Sequence, residues 1–403
     1  MNILFACDEY PPAPTGGIGS ATKTVAEALV KRGHNVYVVS GRLDKTLPEE
    51  DVINGVTVYR VYLMQKISWL FKNNFLSLNL HKIFIRSHLL AGYSFKEYQR
   101  KQEFIESLIK LKNIQVVELP DYNLLSKYYC YFKVKDYKPL SVPSIARVHG
   151  SVSFLKYYTD GFVSEISKNN DKKFFESVDK ILSVSRFAAD FVNQKLGVNT
   201  KCDVIYNPLV NTFIDFVNSR KEKRNNTIVF LGKIVETKGA FNLIKAFNQF
   251  TLKHPEFDLV MIGKGNIEYG KSIVNNVSKS KVLFTGYLKP EEISEYLRKA
   301  AFCVIPTFFE NFSVAALEVM GSGNILIYSK SSSGPEVIND GVDGFLIDPY
   351  DVQSILEKMN YVAENLNSLS HIRTEAIKKI KLNFSEDIII DQLEKYYKRL
   401  IKC

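Results

Sequence analysis

Residues 2–40 read NILFACDEYPPAPTGGIGSATKTVAEALVKRGHNVYVVS, and their pattern indicates the fold class. Asn2 to Cys7 and Asn35 to Ser40 are short apolar runs of the kind that form buried strands. Between them, Ser20 to Lys31 has helical spacing of its apolar residues and is followed by Gly33, a residue type that commonly ends helices. A strand, a loop, a helix and a strand in this order predict a parallel sheet covered by helices.

The same alternation of apolar runs and helical stretches continues along the chain. Further strands of the first half are predicted at Gln115 to Leu119, Ser144 to Val148, Lys180 to Val184 and Asp203 to Tyr206. Strands of the second half are predicted at Thr227 to Leu231, Asp258 to Ile262, Lys281 to Phe284, Phe302 to Ile305 and Ile325 to Tyr328. The sequence therefore predicts an α/β protein of two doubly wound domains with a cleft between them.

The chain length agrees with two domains, because 403 residues exceed the size at which one hydrophobic core usually stops growing. We place the first domain at residues 1–208, a polar linker at 209–226 and the second domain at 227–385. The closing segment, 386–403, has helical spacing, and we expect it to pack back onto the first domain.

Composition excludes several classes of protein. The chain is 46% hydrophobic and 24% charged, which is ordinary for a globular protein and unlike a disordered or collagen-like chain. Neither a run of 18 apolar residues nor a secretion signal is visible, so we expect a cytoplasmic protein. Five scattered cysteines without a CxxC pair indicate neither disulfides nor a structural zinc site.

A glycine-rich loop, Thr15 to Ser20, precedes the first predicted helix. Gly16 and Gly17 would let backbone N–H groups approach a phosphate at the positive end of that helix. The alternative is a tight turn that needs glycine for its backbone angles. A nicotinamide site is not indicated, because Asp8 to Pro14 separate the strand from the glycines and no acid ends the second strand.

Two lysines and two glutamates follow strands of the second half. Lys233 and Lys238 come after the strand that ends at Leu231, where both can converge on a diphosphate, although exposed lysines are often merely solvated. Glu310 lies in a loop after a strand, and Glu318 lies among apolar residues of a predicted helix. A helix would separate their backbones by about 12 Å. Retaining glycosidases need carboxyl groups about 5 to 5.5 Å apart, so this spacing disfavours a glycosidase.

The spacing better suits two carboxylates that bind different parts of one long ligand, one near a sugar and one near a nucleotide ribose. The structural alternative is a loop acid and a helix acid that bind nearby N–H groups or a lysine. From the residues alone both interpretations stay open.

In their order and spacing the motifs resemble the retaining glycosyltransferases of family 4 (group 1). That family has the GT-B fold, in which two Rossmann-like doubly wound domains face each other across a cleft. The resemblance covers nearly the whole chain. Besides the glycine-rich loop, Lys233 and Lys238, it rests on RVHG (147–150), VSR (184–186), VIYNP (204–208), GKG (263–265), FTGY (284–287), the two glutamates of E-x7-E and SGPEVI (333–338) through DGFL (343–346).

The resemblance implies a nucleotide-sugar donor held mainly by the second domain. Its diphosphate would bind Lys233 and Lys238, its sugar would lie near Glu310 and its ribose hydroxyls would bind Glu318. Gly16 and Gly17 would face the leaving diphosphate. The remaining donor contacts that the resemblance implies are Gly263, Tyr287, Asn311, Phe312 and Ser313.

The resemblance also implies a catalytic set made of His149, Glu310 and Lys238, with His149 beside the sugar. For His149 the alternative is a polar group satisfied at a strand end. The chain has no Asp-x-Asp triplet of the kind that clamps a metal and a diphosphate in the other major glycosyltransferase fold. We therefore expect neither a metal nor another cofactor.

The chain departs from the family pattern at the edge of the donor site. Lys233 stands where most members have Arg, and Asn311-Phe312-Ser313 replaces Gly-Phe-Gly. Asn311 is tolerable there because Asn enters left-handed conformations more readily than most residues. The usual glycine pair before Pro335 is Ser333-Gly334. These departures leave the identity of the donor sugar open.

The first half carries most of the net charge of +10, since residues 1–210 hold 28 Lys and Arg against 20 Asp and Glu. Between Val61 and Lys96 there is no acid, and basic residues alternate with apolar ones. This pattern predicts a contact with the anionic inner membrane through Trp69, Lys72, Lys82 and Arg86. The alternative is an ordinary insertion with solvated lysines. No nucleic-acid-binding module is recognised.

We expect the enzyme to transfer a hexose or N-acetylhexosamine, with UDP as the nucleotide. The acceptor would be a lipid-linked or growing surface polysaccharide, such as lipopolysaccharide or capsule, in a bacterium. Two alternatives stay open: a GT-B sugar-nucleotide epimerase, and a non-catalytic sugar-nucleotide-binding subunit of an envelope assembly complex.

Overall fold

The computed structural model describes residues 1–13, 16–42, 44, 46–62, 88–122, 125, 127, 136–210 and 224–402. Contacts within the chain define two compact units, which are Met1–Ile205 with Ile390–Cys403, and Tyr206–Ile389. The residues predicted to contact a membrane, Trp69, Lys72, Lys82 and Arg86, lie outside the described residues.

The first unit is built on a sheet whose described strands are parallel except for one hairpin. In chain order the strands are β1 (Asn2–Cys7), β2 (Asn35–Gly41), β3 (Glu50–Ile53), β4 (Val56–Val61), β5 (Val116–Pro120), β6 (Ser144–Val148), β7 (Lys180–Ser183) and β8 (Cys202–Val204). Their order across the sheet is β3-β4-β2-β1-β5-β6-β7-β8. The antiparallel hairpin β3–β4 was not predicted from the sequence.

Helices flank these strands in the order that the sequence predicts. They are α1 (Gly17–Lys31), α2 (His88–Leu111), α3 (Val152–Thr159), α4 (Glu165–Glu176) and α5 (Arg186–Asp190), the last continued by a π-helical turn at Phe191–Lys195. The first helix begins at Gly17 and not at Ser20, so part of the glycine-rich loop is already helical.

The second unit has a sheet in which all described strands are parallel. The strands are β9 (Thr227–Leu231), β10 (Asp258–Ile262), β11 (Val282–Gly286), β12 (Phe302–Ile305), β13 (Leu326–Ser329) and β14 (Phe345–Ile347). The helices are α6 (Ala240–Lys253), α7 (Ile267–Ser272), α8 (Pro290–Lys299), α9 (Val314–Gly321), α10 (Gly334–Val337), α11 (Val352–Glu364) and α12 (Ser370–Lys379). The closing helix α13 (Glu386–Lys402) begins in the second unit, and from Ile390 onward it belongs to the first. Apolar side chains of the strands and of α6, such as Phe230, Met261 and Phe247, are fully buried.

Both sheets reverse their strand order at one point, and the prediction of two doubly wound α/β domains is confirmed. In the first sheet the reversal lies between β1 and β5, and in the second, ordered β11-β10-β9-β12-β13-β14, between β9 and β12. Ligands of such sheets bind outside the carboxyl ends of the strands at these reversals. The residues that follow β1, β5, β9 and β12 are therefore the first candidates for a functional site.

The segment predicted as a linker is partly outside the described residues, which omit 211–223. Its described end is anchored in the second unit, because the Arg224 guanidinium donates hydrogen bonds to the carbonyl oxygens of Ala300 (2.8 Å) and Gly323 (2.7 Å).

The end of α13 is bound to the first unit. The Tyr397 hydroxyl donates to the buried Glu118 carboxylate over 2.7 Å, and the Tyr396 hydroxyl to Asp203 over 3.1 Å. Arg32 forms an ion pair with Asp391 on the same helix. Burial raises the pKa of Glu118, and this rise is opposed by the charge of Arg147 and by the Tyr397 hydrogen bond.

Candidate functional site

The loops after β9 and β12 touch at the reversal of the second sheet. Gly239 has a φ of 66°, and a Cβ placed on it would lie 1.8 Å from the carbonyl oxygen of Pro306. The Phe308 N–H donates to the carbonyl oxygen of Thr237 over 2.9 Å. Only glycine permits this approach, and it brings two segments some 70 residues apart in sequence into one site.

The touching loops pair Lys238 with Glu310. The Lys238 ammonium donates to Oε2 of Glu310, and each side chain is 26% exposed. Lys233, on the same loop as Lys238, is exposed, and its ammonium has neither a hydrogen-bond nor an ion-pair partner among the described residues. A half-buried ion pair beside a second, unneutralised lysine can bind both the anionic and the hydroxyl-bearing parts of a ligand.

Glu318 lies on α9 and is partly buried. Its side chain has no hydrogen-bond or ion-pair partner among the described residues, and burial raises its pKa to about 7. The helix that carries it begins at the N-cap Ser313, whose hydroxyl accepts the Ala316 N–H over 3.2 Å. A partly buried carboxylate with no partner among the described residues lowers stability when it is charged, which is typical of a group kept for ligand binding.

The three residues after Glu310 differ in what they can offer a ligand. The Phe312 ring stacks on Tyr206 with 5.1 Å between centroids and contacts Phe384, so its side chain is a packing group and only its backbone remains for a donor. Asn311 does not adopt the left-handed conformation that glycine would allow, and at this edge it is Ser332 that has a positive φ (56°). The Ser313 hydroxyl is engaged as the helix cap.

Gly263 and Tyr287 follow β10 and β11 at the same edge of the sheet. A Cβ on Gly263 would lie 2.0 Å from the carbonyl oxygen of Gly232, which ties this loop to the one that carries Lys233. Tyr287 is 67% exposed, and the Lys264 ammonium lies 5.0 Å from its ring centroid. The predicted donor residues of the second unit thus follow the carboxyl ends of β9 to β12, with Glu318 on the helix after β12.

In the first unit, Asp121 follows β5 and holds the backbone at His149. Its Oδ1 accepts the His149 N–H over 2.8 Å, and both carboxylate oxygens accept the Gly150 N–H over 3.2 Å. Burial raises the pKa of Asp121 to about 7, against the lowering effect of Lys127 and these N–H groups. Burial and the Arg147 charge lower the pKa of His149 to about 3, so its ring is neutral.

A buried ion pair between Lys127 and Asp171 holds the backbone of Asp121. The Lys127 ammonium donates to the Asp121 carbonyl oxygen over 3.0 Å and forms an ion pair with Asp171. Asp171 in turn accepts the Ser153 N–H of α3 over 2.9 Å. Sequence reasoning missed Asp121. Its position directly after a buried strand at the reversal of the sheet was the available signal.

The glycine-rich loop is occupied by a carboxylate of its own chain. Oε2 of Glu9 accepts the Gly16 N–H over 2.6 Å, and a Cβ on Gly16 would lie 2.9 Å from that oxygen. Around Gly17 there is open space. An anion therefore already lies at the start of α1, where the sequence predicts a phosphate.

We predict that Asp121→Ala lowers turnover about tenfold or more while leaving donor affinity unchanged. The expected cause of the lower turnover is the release of the His149 backbone. Donor affinity should not change, because Asp121 lies in the other unit from Lys238 and Glu318. Asp121→Asn, which keeps an oxygen for the His149 N–H, should retain more activity. Steady-state kinetics with Asp136→Ala as control test this, because the Asp136 carboxylate is 89% exposed. A loss that appears only in donor affinity would contradict the prediction.

Comparison with known proteins places this geometry in a family. The family described as "Glycosyltransferase Family 4" matches residues 15–210, and "Glycosyl transferases group 1" matches residues 211–379. The chain belongs to the family 4 (group 1) glycosyltransferases. It is a glycosyltransferase with the GT-B fold, and the resemblance seen in the sequence is confirmed.

Individual relatives of this glycosyltransferase match over almost their full length. An uncharacterized glycosyltransferase of Methanocaldococcus jannaschii is 24% identical, with 99% of this chain and 98% of the relative covered. Sucrose-phosphate synthase of Thermosynechococcus elongatus has a TM-score of 0.77 at 15% identity, covering 100% of this chain and 99% of its own. HepE of Anabaena, solved in complex with UDP, has a TM-score of 0.69 at 16% identity, covering 99% and 100%.

The described part of this glycosyltransferase contains neither a membrane-spanning helix nor a cluster of metal-binding side chains. None of its described helices is long and apolar enough to cross a membrane. The described residues contain no cluster of three or more His, Cys, Asp or Glu side chains that could bind a metal ion. That catalysis needs no metal stays a prediction.

Proposed function

We propose that this glycosyltransferase moves a hexose or N-acetylhexosamine from a UDP-sugar, with retention of anomeric configuration, to a lipid-linked or growing surface polysaccharide. The observation that carries the proposal is the Lys238–Glu310 pair at the reversal of the second sheet, with Glu318 on the following helix. These groups suit the donor because an ammonium binds phosphate oxygens and carboxylates accept hydrogen bonds from vicinal hydroxyls. The UDP complex of the similarly folded HepE supports the choice of nucleotide.

The proposed roles follow from the charge that the reaction develops. As the bond from the sugar to the diphosphate breaks, negative charge grows on the phosphate oxygens, and fixed cations there stabilise the transition state. Lys238 and the exposed Lys233 are the cations that the loop after β9 supplies. The neutral His149 ring suits a hydrogen bond with a sugar hydroxyl, since its lowered pKa keeps it uncharged in the physiological range.

The acceptor side of the proposal rests on the first half of the chain. Its excess of positive charge and the basic, apolar segment around Trp69 suit an acceptor presented at an anionic membrane. Flotation with anionic liposomes tests this part, comparing the wild type with a variant in which Trp69, Lys72, Lys82 and Arg86 are replaced by neutral polar residues. Equal flotation of both proteins would reject the membrane contact.

Thermal shift with a panel of UDP-, GDP- and ADP-sugars, with and without EDTA, tests the donor. We expect a UDP-hexose or UDP-N-acetylhexosamine to stabilise the protein whether or not EDTA is present, because mass action favours the state that binds ligand. Product analysis with extracted lipid acceptor then tests transfer. Turnover of the donor to an epimer without acceptor would replace transfer by epimerisation, and binding without any turnover would indicate a non-catalytic subunit.

A further inference from the structure

The loop after β13 is a tight turn with an unusual backbone angle. Ser329 Oγ accepts the Ser331 N–H over 3.0 Å, and the Gly334 N–H donates to the Ser331 carbonyl oxygen over 3.1 Å. A Cβ on Gly334 would lie 1.9 Å from the carbonyl oxygen of Ser329, so the turn closes on itself. Within it Ser332 has a φ of 56°, a conformation that glycine adopts freely and other residues rarely adopt.

The serine hydroxyls of this turn bracket the backbone of Glu310. The Glu310 N–H donates to Ser332 Oγ over 3.4 Å, and the Ser333 hydroxyl donates to the Glu310 carbonyl oxygen over 3.3 Å. Ser333 is fully buried. Two bonds on opposite sides of one residue restrain both of its peptide planes, and with them the direction in which its side chain leaves the backbone.

We propose that Ser332 and Ser333 are positioning residues, a serine clasp that directs the Glu310 carboxylate at the donor sugar and so sets affinity for that sugar. The inference rests on the proposed function. It accounts for a serine at the φ of 56°, since glycine would relieve the backbone strain but would lose the oxygen that accepts the Glu310 N–H.

The clasp differs from the other restraint on Glu310. The ion pair with Lys238 restrains the Glu310 carboxylate directly. A donor diphosphate would compete with this carboxylate for the Lys238 ammonium. The two bonds to the Glu310 backbone involve no group that the donor would claim. We therefore expect them to persist in the donor complex, where the direction of the carboxylate matters for binding the sugar.

Binding of UDP and of the UDP-sugar that most stabilises the wild type, both by calorimetry, tests the clasp. The variants are Ser332→Gly, Ser333→Ala and the double variant, with Ser331→Ala from the same turn as control. We expect the double variant to bind UDP like the wild type and the UDP-sugar about tenfold more weakly, because only the sugar contacts Glu310. Ser332→Asn should bind the UDP-sugar more tightly than Ser332→Gly does, since Asn tolerates a positive φ and offers an accepting oxygen.

The outcomes separate this inference from the proposed function. A wild type that binds no nucleotide sugar overturns the proposed function and this assignment with it. If the wild type binds and the double variant keeps the same ratio of UDP to UDP-sugar affinity, the clasp alone is overturned. This includes the case in which both ligands lose affinity equally. Hydrogen exchange of the Glu310 amide in the free protein adds a direct readout. Its protection should fall in Ser332→Gly, and unchanged protection would also overturn the clasp.

Discussion

Exchange of the two charges in the Lys238–Glu310 pair, by Lys238→Glu with Glu310→Lys, should leave the fold intact and lower sugar transfer by about a thousandfold or more. The exchanged pair can form the same ion pair in the same half-buried place, so the structural role of the original pair is preserved. The ligand, in contrast, would meet a carboxylate where its phosphates need a cation. The predicted loss therefore reports ligand binding and not the stability of the loop.

Single variants and a matched exchange complete this experiment. Lys238→Ala and Glu310→Gln should each be inactive, and the exchanged pair should not recover the activity lost in either of them. The control is the same exchange at Lys253 and Glu364, an exposed ion pair of the same unit whose two side chains are 63% and 44% exposed. Recovery of transfer in the exchanged Lys238–Glu310 variant would show that the ion pair itself, and not donor binding, is what the enzyme requires.

Replacement of the partly buried acid on α9, by Glu318→Gln, should stabilise the protein at pH 8 and weaken donor binding at least tenfold. Burial raises the pKa of Glu318 from 4.5 to about 7, so the folded protein holds this proton more tightly than the unfolded chain does. As pH rises from about 4.5 through 7, this carboxyl contributes a growing loss of stability. Gln carries no charge, so the variant should gain on the order of 2 kcal/mol at pH 8 and little at pH 5.

Unfolding in urea at pH 5 and pH 8, together with donor binding by calorimetry, measures both effects of Glu318→Gln. Glu375→Gln is the control, because Glu375 is an exposed acid on α12 paired with Lys378. It should change neither stability nor binding by a measurable amount. A Glu318→Gln protein that is less stable at pH 8 than at pH 5, relative to wild type, would show that this carboxylate has a stabilising partner.

The sequence was sufficient for the sheets because their central strands are continuous apolar runs. Asn2–Cys7 and Thr227–Leu231 are buried on both faces and have the predicted bounds. The β3–β4 hairpin was missed because its first strand, Glu50–Ile53, is short, polar and half exposed. An Asn54-Gly55 turn, with φ values of 49° and 84°, joins the two strands and was the signal that could have found it.

The candidate site was predictable residue by residue but not as an arrangement. Lys238 and Glu310 were found because each follows a strand, yet nothing local shows that they form an ion pair, since they come from different strands. Asp121 escaped notice because a single acid after a strand carries no motif. Its structural role comes from three contacts with the N–H groups of His149 and Gly150, which form only when β5 and β6 lie side by side.

The anchoring of α13 limits how this enzyme can be taken apart or recombined with its relatives. A gene fragment that stops at Ile205 omits the helix, and Glu118 then loses the phenol of Tyr397 inside the core. A chimera that exchanges one lobe between two homologues must therefore transplant the terminal helix together with the amino-terminal lobe. A single crossover cannot achieve this, because the amino-terminal unit is encoded at both ends of the gene. Two crossovers are needed to exchange it as a whole.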